Sequence, residues 1–273
     1  MSPFLIILLI ALPILAIIAL YIFLTLPRIF DSANMDLLKI DYAHRGLHNN
    51  KAPENSLSAY SRAIEQGFGI EIDVQLSSDG KIFVFHDENL KRMCGCEKKL
   101  SELTSDELKK LKLADTDECI PTLDEVLELV DARVPLLIEV KYYSRTKELC
   151  ELLATRLDSY IGSFAIQSFD PRVLRYFKKK RPKFARGQLV GKMKIKKGDN
   201  PFIAFFLRHL LLNFLSRPDF ISIESNHTRE LGFILGTEVF RAKAFIWTVR
   251  SKKQQLFFHR QRYYTIFEGF EPN

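Results

Sequence analysis

Cysteine is scarce in this 273-residue chain, and the four present, Cys94, Cys96, Cys119 and Cys150, form no paired C-x-x-C pattern. That argues against a cysteine-ligated zinc module; the four read as free thiols, which suits a reducing compartment. Charge is missing altogether from residues 3–26, PFLIILLIALPILAIIALYIFLTL, although charged residues make up 27% of the chain. A run of that length reaches across a bilayer core of about 30 Å. It lacks the marks of a cleaved signal peptide, because no Lys or Arg precedes it and no good small-x-small cleavage site follows. An uncleaved transmembrane anchor over 1–27 is therefore expected, with Pro13 a tolerated kink, then a linker over 28–39. Arg28 and Lys39 follow the span and nothing basic precedes it, so the charge rule puts the remaining chain on the cytoplasmic side of the cell membrane, single-pass. Nucleic-acid motifs are absent too. A net charge of +7 and a pI near 9.1 then point to a phosphate substrate or an acidic membrane face.

What is present is concentrated in Tyr42 to Asp87. His44 ends a short extended run and is followed by Arg45 and Gly46. Glu71 and Asp73 alternate with Ile70, Ile72 and Val74, so at the two-residue strand period both acids share one face and the aliphatics the other. Too few residues separate Asp73 from Phe83 for a crossover helix, and Asp79-Gly80 is a turn signal, so 70–76 and 81–86 form a hairpin. The returning strand delivers His86 to the acidic end. Several carboxylates without a nearby cysteine favour a hard cation with oxygen ligands, Mg²⁺ or Ca²⁺. Such a cation can polarise a phosphoryl oxygen. Two histidines can act as base and acid near neutral pH, and Arg45 offers a planar fork to phosphate oxygens. The chemistry this set fits is metal-assisted displacement at phosphorus.

The runs His44-Arg45-Gly46, Pro53-Glu54-Asn55-Ser56, Glu71-Ile72-Asp73-Val74, Asp79-Gly80 and His86-Asp87 resemble the signature of the glycerophosphodiester phosphodiesterase family. The resemblance continues through Ile138-Glu139-Val140-Lys141, Gln167-Ser168-Phe169-Asp170 and Trp247-Thr248-Val249. It implies a (β/α)₈ TIM barrel over 40–273, a divalent cation, and hydrolysis of glycerophosphodiesters to glycerol 3-phosphate and an alcohol. It further implies His44 and His86 as acid/base pair, Glu71, Asp73 and Glu139 as metal ligands, and Arg45, Lys141, Gln167 and Trp247 as substrate or phosphate contacts. Read without the resemblance, Glu139 and Lys141 lie two apart on one strand face, with a plain ion pair between them as the alternative. In the family an Asn or Asp usually follows Trp-Thr-Val, and a Thr-Asp pair stands near the end. Arg250 and Phe267-Glu268 occupy those places here, which leaves substrate preference open.

The remaining pattern is an α/β alternation. A helix opens at Asn55 or Ser56 and stops at Gly67, with Leu57, Tyr60, Ala63 and Ile64 at helical spacing for the core. Residues 88–120 fit no barrel strand and read as a small insertion over the barrel mouth, with a capping box at Thr104-x-x-Glu107; Thr122-x-x-Glu125 caps a further helix. Strands are expected at 40–44, 70–76, 135–141, 164–168, 185–190, 220–224, 244–249 and 264–267, eight without the hairpin's return strand, which is the count of a TIM barrel. Between the fifth and sixth, Lys192, Lys194, Lys196 and Lys197 precede the apolar run 201–215, too short to span. Basic anchors beside such a run indicate an interfacial helix on lipid, with a buried barrel helix as the alternative; His209 reads as structural. Two further functions fit the same residues: a lysophospholipase D-type hydrolase of membrane lysolipids, and a non-catalytic membrane protein that binds phosphodiesters.

Overall fold

The computed structural model describes residues 2–29, 35–191 and 200–272. In chain order its elements are α1 (Pro3–Thr25), β1 (Tyr42–Ala43), α2 (Leu57–Glu65), β2 (Gly69–Leu76), β3 (Ile82–Val84), α3 (Lys91–Cys94), α4 (Ser105–Leu108), α5 (Leu123–Val130) and β4 (Leu136–Val140). They continue with α6 (Thr146–Asp158), β5 (Phe164–Ser168), α7 (Pro171–Lys180), β6 (Ala185–Val190), α8 (Pro201–Arg208) and α9 (Asn213–Ser216). The last are β7 (Phe220–Glu224), α10 (Leu231–Ile234), β8 (Lys243–Val249), α11 (Lys252–Arg260) and β9 (Tyr264–Phe267). Parallel pairing runs β1-β2-β4-β5-β6-β7-β8-β9, and β9 returns to β1, which closes the ring. β3 stays outside it, antiparallel to β2 with Val74 opposite Val84. The fold is thus a TIM barrel, with the expected hairpin and the expected eight ring strands.

Strand alternation sorts the barrel interior into layers. Tyr42, Leu137, Ala165, Ala185, Phe220, Phe245 and Ile266 form an apolar cluster at the base, closed by Met35 and Leu38 of the linker. Two residues on along the strands come His44, Glu139, Gln167, Ser222 and Trp247, so the apolar base gives way to a polar rim at the strand C-terminal ends. Room for Phe220 in the base comes from Gly187, where a Cβ would lie 1.9 Å from the ring. The aliphatics of opposite parity, Ile70, Ile72, Val74, Ile138 and Ile166, pack outward against the helices.

Local signals act as expected. Ser56 caps α2 and Gly67 turns the chain after it at φ +71°. Thr104 and Thr122 each close a reciprocal capping box, with Glu107 and Glu125. The insertion has a small core of its own, in which Phe83, Phe85, Leu90, Leu100, Leu108 and Ile120 are buried together.

The apolar run 201–215 is not one helix, and its lysine-rich approach, Lys192 to Lys197, lies outside the described residues. The helix breaks at Leu210, which is buried and adopts φ +60°. Beyond it α9 is drawn into the wall, with Asn213 donating to the Thr25 carbonyl at 3.1 Å. Before it, no residue of α8 is buried, so this part is no core helix. His209 joins α8 to Glu230 through Nδ1 at 3.1 Å and packs on Phe205. α1 is long and apolar enough to cross a membrane, and its most apolar stretch is uncovered by the other described residues.

Candidate active site

Gly46, at φ +83°, turns the chain sharply after β1, where a Cβ would strike Ala59 at 2.9 Å. This turn leaves His44 on the rim and aims the Arg45 amide at Glu71, 3.2 Å from Oε2. β2 supplies Glu71 and Asp73, and β4 brings Glu139 opposite Asp73 in register. Ligand oxygens of Glu71, Asp73 and Glu139 all lie within 4.8 Å of one another, and the three residues are buried. Lys141 enters the cluster from the end of β4, with Nζ 2.8 Å from Asp73 and 2.6 Å from Glu139. The simple Glu139–Lys141 ion pair is therefore present, and it belongs to the acidic cluster. Arg45 lies 2.7 Å from Glu54 and 3.6 Å from Asp73. Asn55 does not cap α2. Its amide donates to Asp73 at 3.0 Å, and Tyr60 holds it by donating to Oδ1 at 2.8 Å.

Charge divides unequally in this cluster. Burial, then repulsion from Asp73 and Glu139, pushes the Glu71 carboxyl well above its usual range. Burial acts the same way on Asp73, but Lys141, His86 and Arg45 outweigh it and keep that carboxyl low. Three buried carboxylates of which one resists ionisation make a set that an added cation would complete, and hard oxygens suit Mg²⁺ or Ca²⁺. Gln167 supports the same view: its amide nitrogen reaches Glu71 at 3.4 Å, while its buried Oε1 has no hydrogen-bond partner among the described residues.

Both histidines are tethered. His44 Nδ1 lies 2.5 Å from Glu268, whose other oxygen meets Arg250 at 2.5 Å. His86 Nδ1 lies 2.7 Å from Asp87, which Arg92 holds at 2.6 Å. Arg92 also bonds Glu54 at 2.6 Å, so the insertion reaches the rim through one side chain. Gln75 fixes the end of the hairpin by donating to the carbonyls of Phe85 and Asp87, each at 2.7 Å. Burial lowers the His44 pKa, although Glu268 partly restores it. Burial raises the Glu268 carboxyl, but His44 and Arg250 prevail and bring it down to about 2.

A cleft of about 450 Å³ is lined by His44, Arg45, Glu71, His86, Glu139, Gln167 and Trp247. Of the expected site residues only Asp73 and Lys141 do not line it, and both sit directly behind it on the carboxylates. Trp247 Nε1 is buried without a hydrogen-bond partner among the described residues, and the ring meets Phe169 edge-on at 5.7 Å. Glu268 and Arg250 also line the cleft. In the sequence they stood out only as departures from a pattern. Strand parity was the missed signal, since Ile266 points inward and Glu268 follows it by two.

Such a rim on a closed parallel barrel defines a phosphodiesterase-type site. Residues 44–267 match the Glycerophosphoryl diester phosphodiesterase family, and the chain belongs to it. YhdW of Bacillus subtilis (strain 168) is 28% identical over 221 residues, 77% of this chain and 86% of that protein. The glycerophosphodiester phosphodiesterase of Caldanaerobacter subterraneus subsp. tengcongensis is 38% identical over 159 residues, 54% of this chain and 65% of that protein. A Thermotoga maritima glycerophosphodiester phosphodiesterase superposes with a TM-score of 0.65 at 27% identity, covering 84% of this chain and 94% of its own. An Oleispira antarctica phosphodiesterase, solved with the product sn-glycerol-3-phosphate, superposes with a TM-score of 0.69 at 24% identity, over 84% and 92% of the two chains.

Proposed function

We propose that the cleft hydrolyses glycerophosphodiesters to sn-glycerol 3-phosphate and an alcohol, with His44 and His86 as acid/base pair. The observation that carries this reading is the pair of carboxylate-tethered histidines in one cleft with three clustered carboxylates. Each tether takes up Nδ1, so Nε2 is the nitrogen left to move a proton. Because burial disfavours the charged form of His44, it suits the base that takes the proton of the glycerol 2-hydroxyl as that oxygen attacks phosphorus. His86 then gives a proton to the leaving alkoxide, and the two exchange roles when water opens the cyclic phosphate. Glu71, Asp73 and Glu139 would hold a divalent cation, Mg²⁺ or Ca²⁺, which when bound offsets phosphoryl charge. Arg45 and Lys141 supply positive charge to the same oxygens, while Gln167 and Trp247 offer the substrate polar atoms that no described residue engages. The Oleispira relative's bound product is the one this reaction releases.

The test is product analysis of the detergent-solubilised full chain on glycerophosphocholine and glycerophosphoglycerol with each metal. Release of sn-glycerol 3-phosphate is expected. Release of phosphocholine instead, or no product with either metal, overturns the proposal. We also infer that α1 spans the cell membrane and holds the barrel at its cytoplasmic face. Protease attack on the barrel in inverted but not in right-side-out vesicles is the expected result.

A further inference from the structure

The end of α1 is fastened to the barrel wall, and the order of its contacts gives it a direction. Tyr21 comes within electrostatic reach of Glu230, which follows the mouth end of β7 and connects through His227 to Glu224. Further along, Phe23 packs on Phe214 at 6.0 Å, and its carbonyl accepts from Arg217 at 2.7 Å. Arg28 reaches the base: its amide donates to the Pro218 carbonyl at 2.9 Å and its guanidinium to the Pro182 carbonyl at 2.9 Å, just ahead of β7 and β6. The chain thus descends from mouth to base, and the uncovered apolar length of α1 projects beyond the mouth.

α8 lies on the same side. It follows the mouth end of β6, and Arg208 at its end bonds Glu230 at 2.8 Å, the residue that Tyr21 approaches. Phe202, Ile203, Phe205 and Phe206 are all exposed, Phe202 by 73%. A contiguous apolar patch of this kind marks a membrane or protein contact. Lipid is the occupant that fits, because the patch lies on the same side of the barrel as a helix whose length is apolar throughout.

We propose that α8 and the docked end of α1 form one lipid-facing surface, which turns the barrel mouth to the bilayer and admits lysolipids from it. This rests on the diesterase chemistry and the anchor proposed above. A 1-acyl lysophospholipid keeps the free 2-hydroxyl which that chemistry requires. Its oxygen displaces the head-group alcohol, which leaves with a proton, and water then opens the cyclic phosphate to a lysophosphatidate.

The test uses the full chain in phosphatidylcholine vesicles carrying brominated lipid. Trp247 is the one native tryptophan, so Phe202→Trp on α8 and Ile161→Trp on the base loop, where Ile161 is 90% exposed, add one reporter each. Quenching is expected for Phe202→Trp, with Ile161→Trp no more quenched than the parent. In a second arm, Phe202→Gln with Phe205→Gln should slow hydrolysis of vesicle-borne lysophosphatidylcholine by about tenfold, since interfacial binding scales with buried apolar area. Turnover of soluble glycerophosphocholine should be unchanged. If the protein floats with vesicles yet only position 161 is quenched, or if both substrates slow equally, the lipid-facing mouth is overturned while anchor and diesterase stand. Failure to float overturns the anchor along with it, and inactivity on the soluble diester overturns the diesterase reading on which the substrate class rests.

Discussion

At the scale of single residues, the proposed chemistry rests on the two histidines and their tethers. His44→Ala and His86→Ala should each lower kcat by at least ~10²-fold, the usual contribution of a positioned acid or base, with circular dichroism unchanged. Near-normal turnover in either folded variant removes that residue from the mechanism. Glu268 gives a sharper test. Its charge raises the His44 pKa against the burial that lowers it, so Glu268→Gln, which can still accept from Nδ1–H, should let that pKa fall further. The limb of kcat/KM that requires neutral His44 should then move to lower pH, and a limb that stays or moves up shows that His44 is not the group titrating. His44, Glu71, Asp73 and His86 were legible because strand parity and turn chemistry place them before any tertiary contact is known, whereas Glu139 joined them only through the family resemblance. Glu268 obeys the same parity through Tyr264 and Ile266. What parity does not give is the partner at the end of the neighbouring ring strand, 224 residues away in the chain.

At the scale of elements, boundaries followed local rules wherever those rules were local. Ser56, Thr104 and Thr122 satisfy backbone donors within three residues, so their helices begin where the caps stand. The break at Leu210 has no such local cause. Leu207 and Leu210 are chemically alike, and only the wall that buries Leu210 distinguishes them, so periodicity carried the helix through. Gly187 is a related case, since its need for a missing Cβ arises from Phe220 on the neighbouring strand. Gly187→Ala should destabilise the barrel by about 1 to 3 kcal/mol through overpacking, measured by urea unfolding. Adding Phe220→Leu should recover part of that loss. An unchanged midpoint would show that the base layer is loosely packed.

At the scale of the whole molecule, the barrel folds an apolar base and a charged rim into one interior, and the rim opposes folding in a pH-dependent way. Glu71 carries a folded pKa well above its unfolded value, so its contribution to stability is present below about pH 4.3 and is lost as pH rises toward the folded pKa. Asp73 has the opposite sign, with a lowered folded pKa, and contributes fully once pH exceeds about 3.9. Above that point Asp73 adds no further slope, and Glu71 should make the metal-free protein lose stability as pH rises. A cation held by the triad reverses this, because it binds the ionised cluster and not the unfolded chain. At a free concentration 100 times its dissociation constant it should add about 2.7 kcal/mol. The expected measurement is therefore a thermal unfolding series of the detergent-solubilised chain with EDTA, Mg²⁺ or Ca²⁺ across pH 5 to 8. The metal-induced rise in Tm should grow with pH, and Glu71→Gln should flatten the metal-free slope and shrink that rise together. A Tm indifferent to both metals at every pH would show that the three carboxylates do not bind a cation, and that Lys141 and Arg45 alone balance their charge.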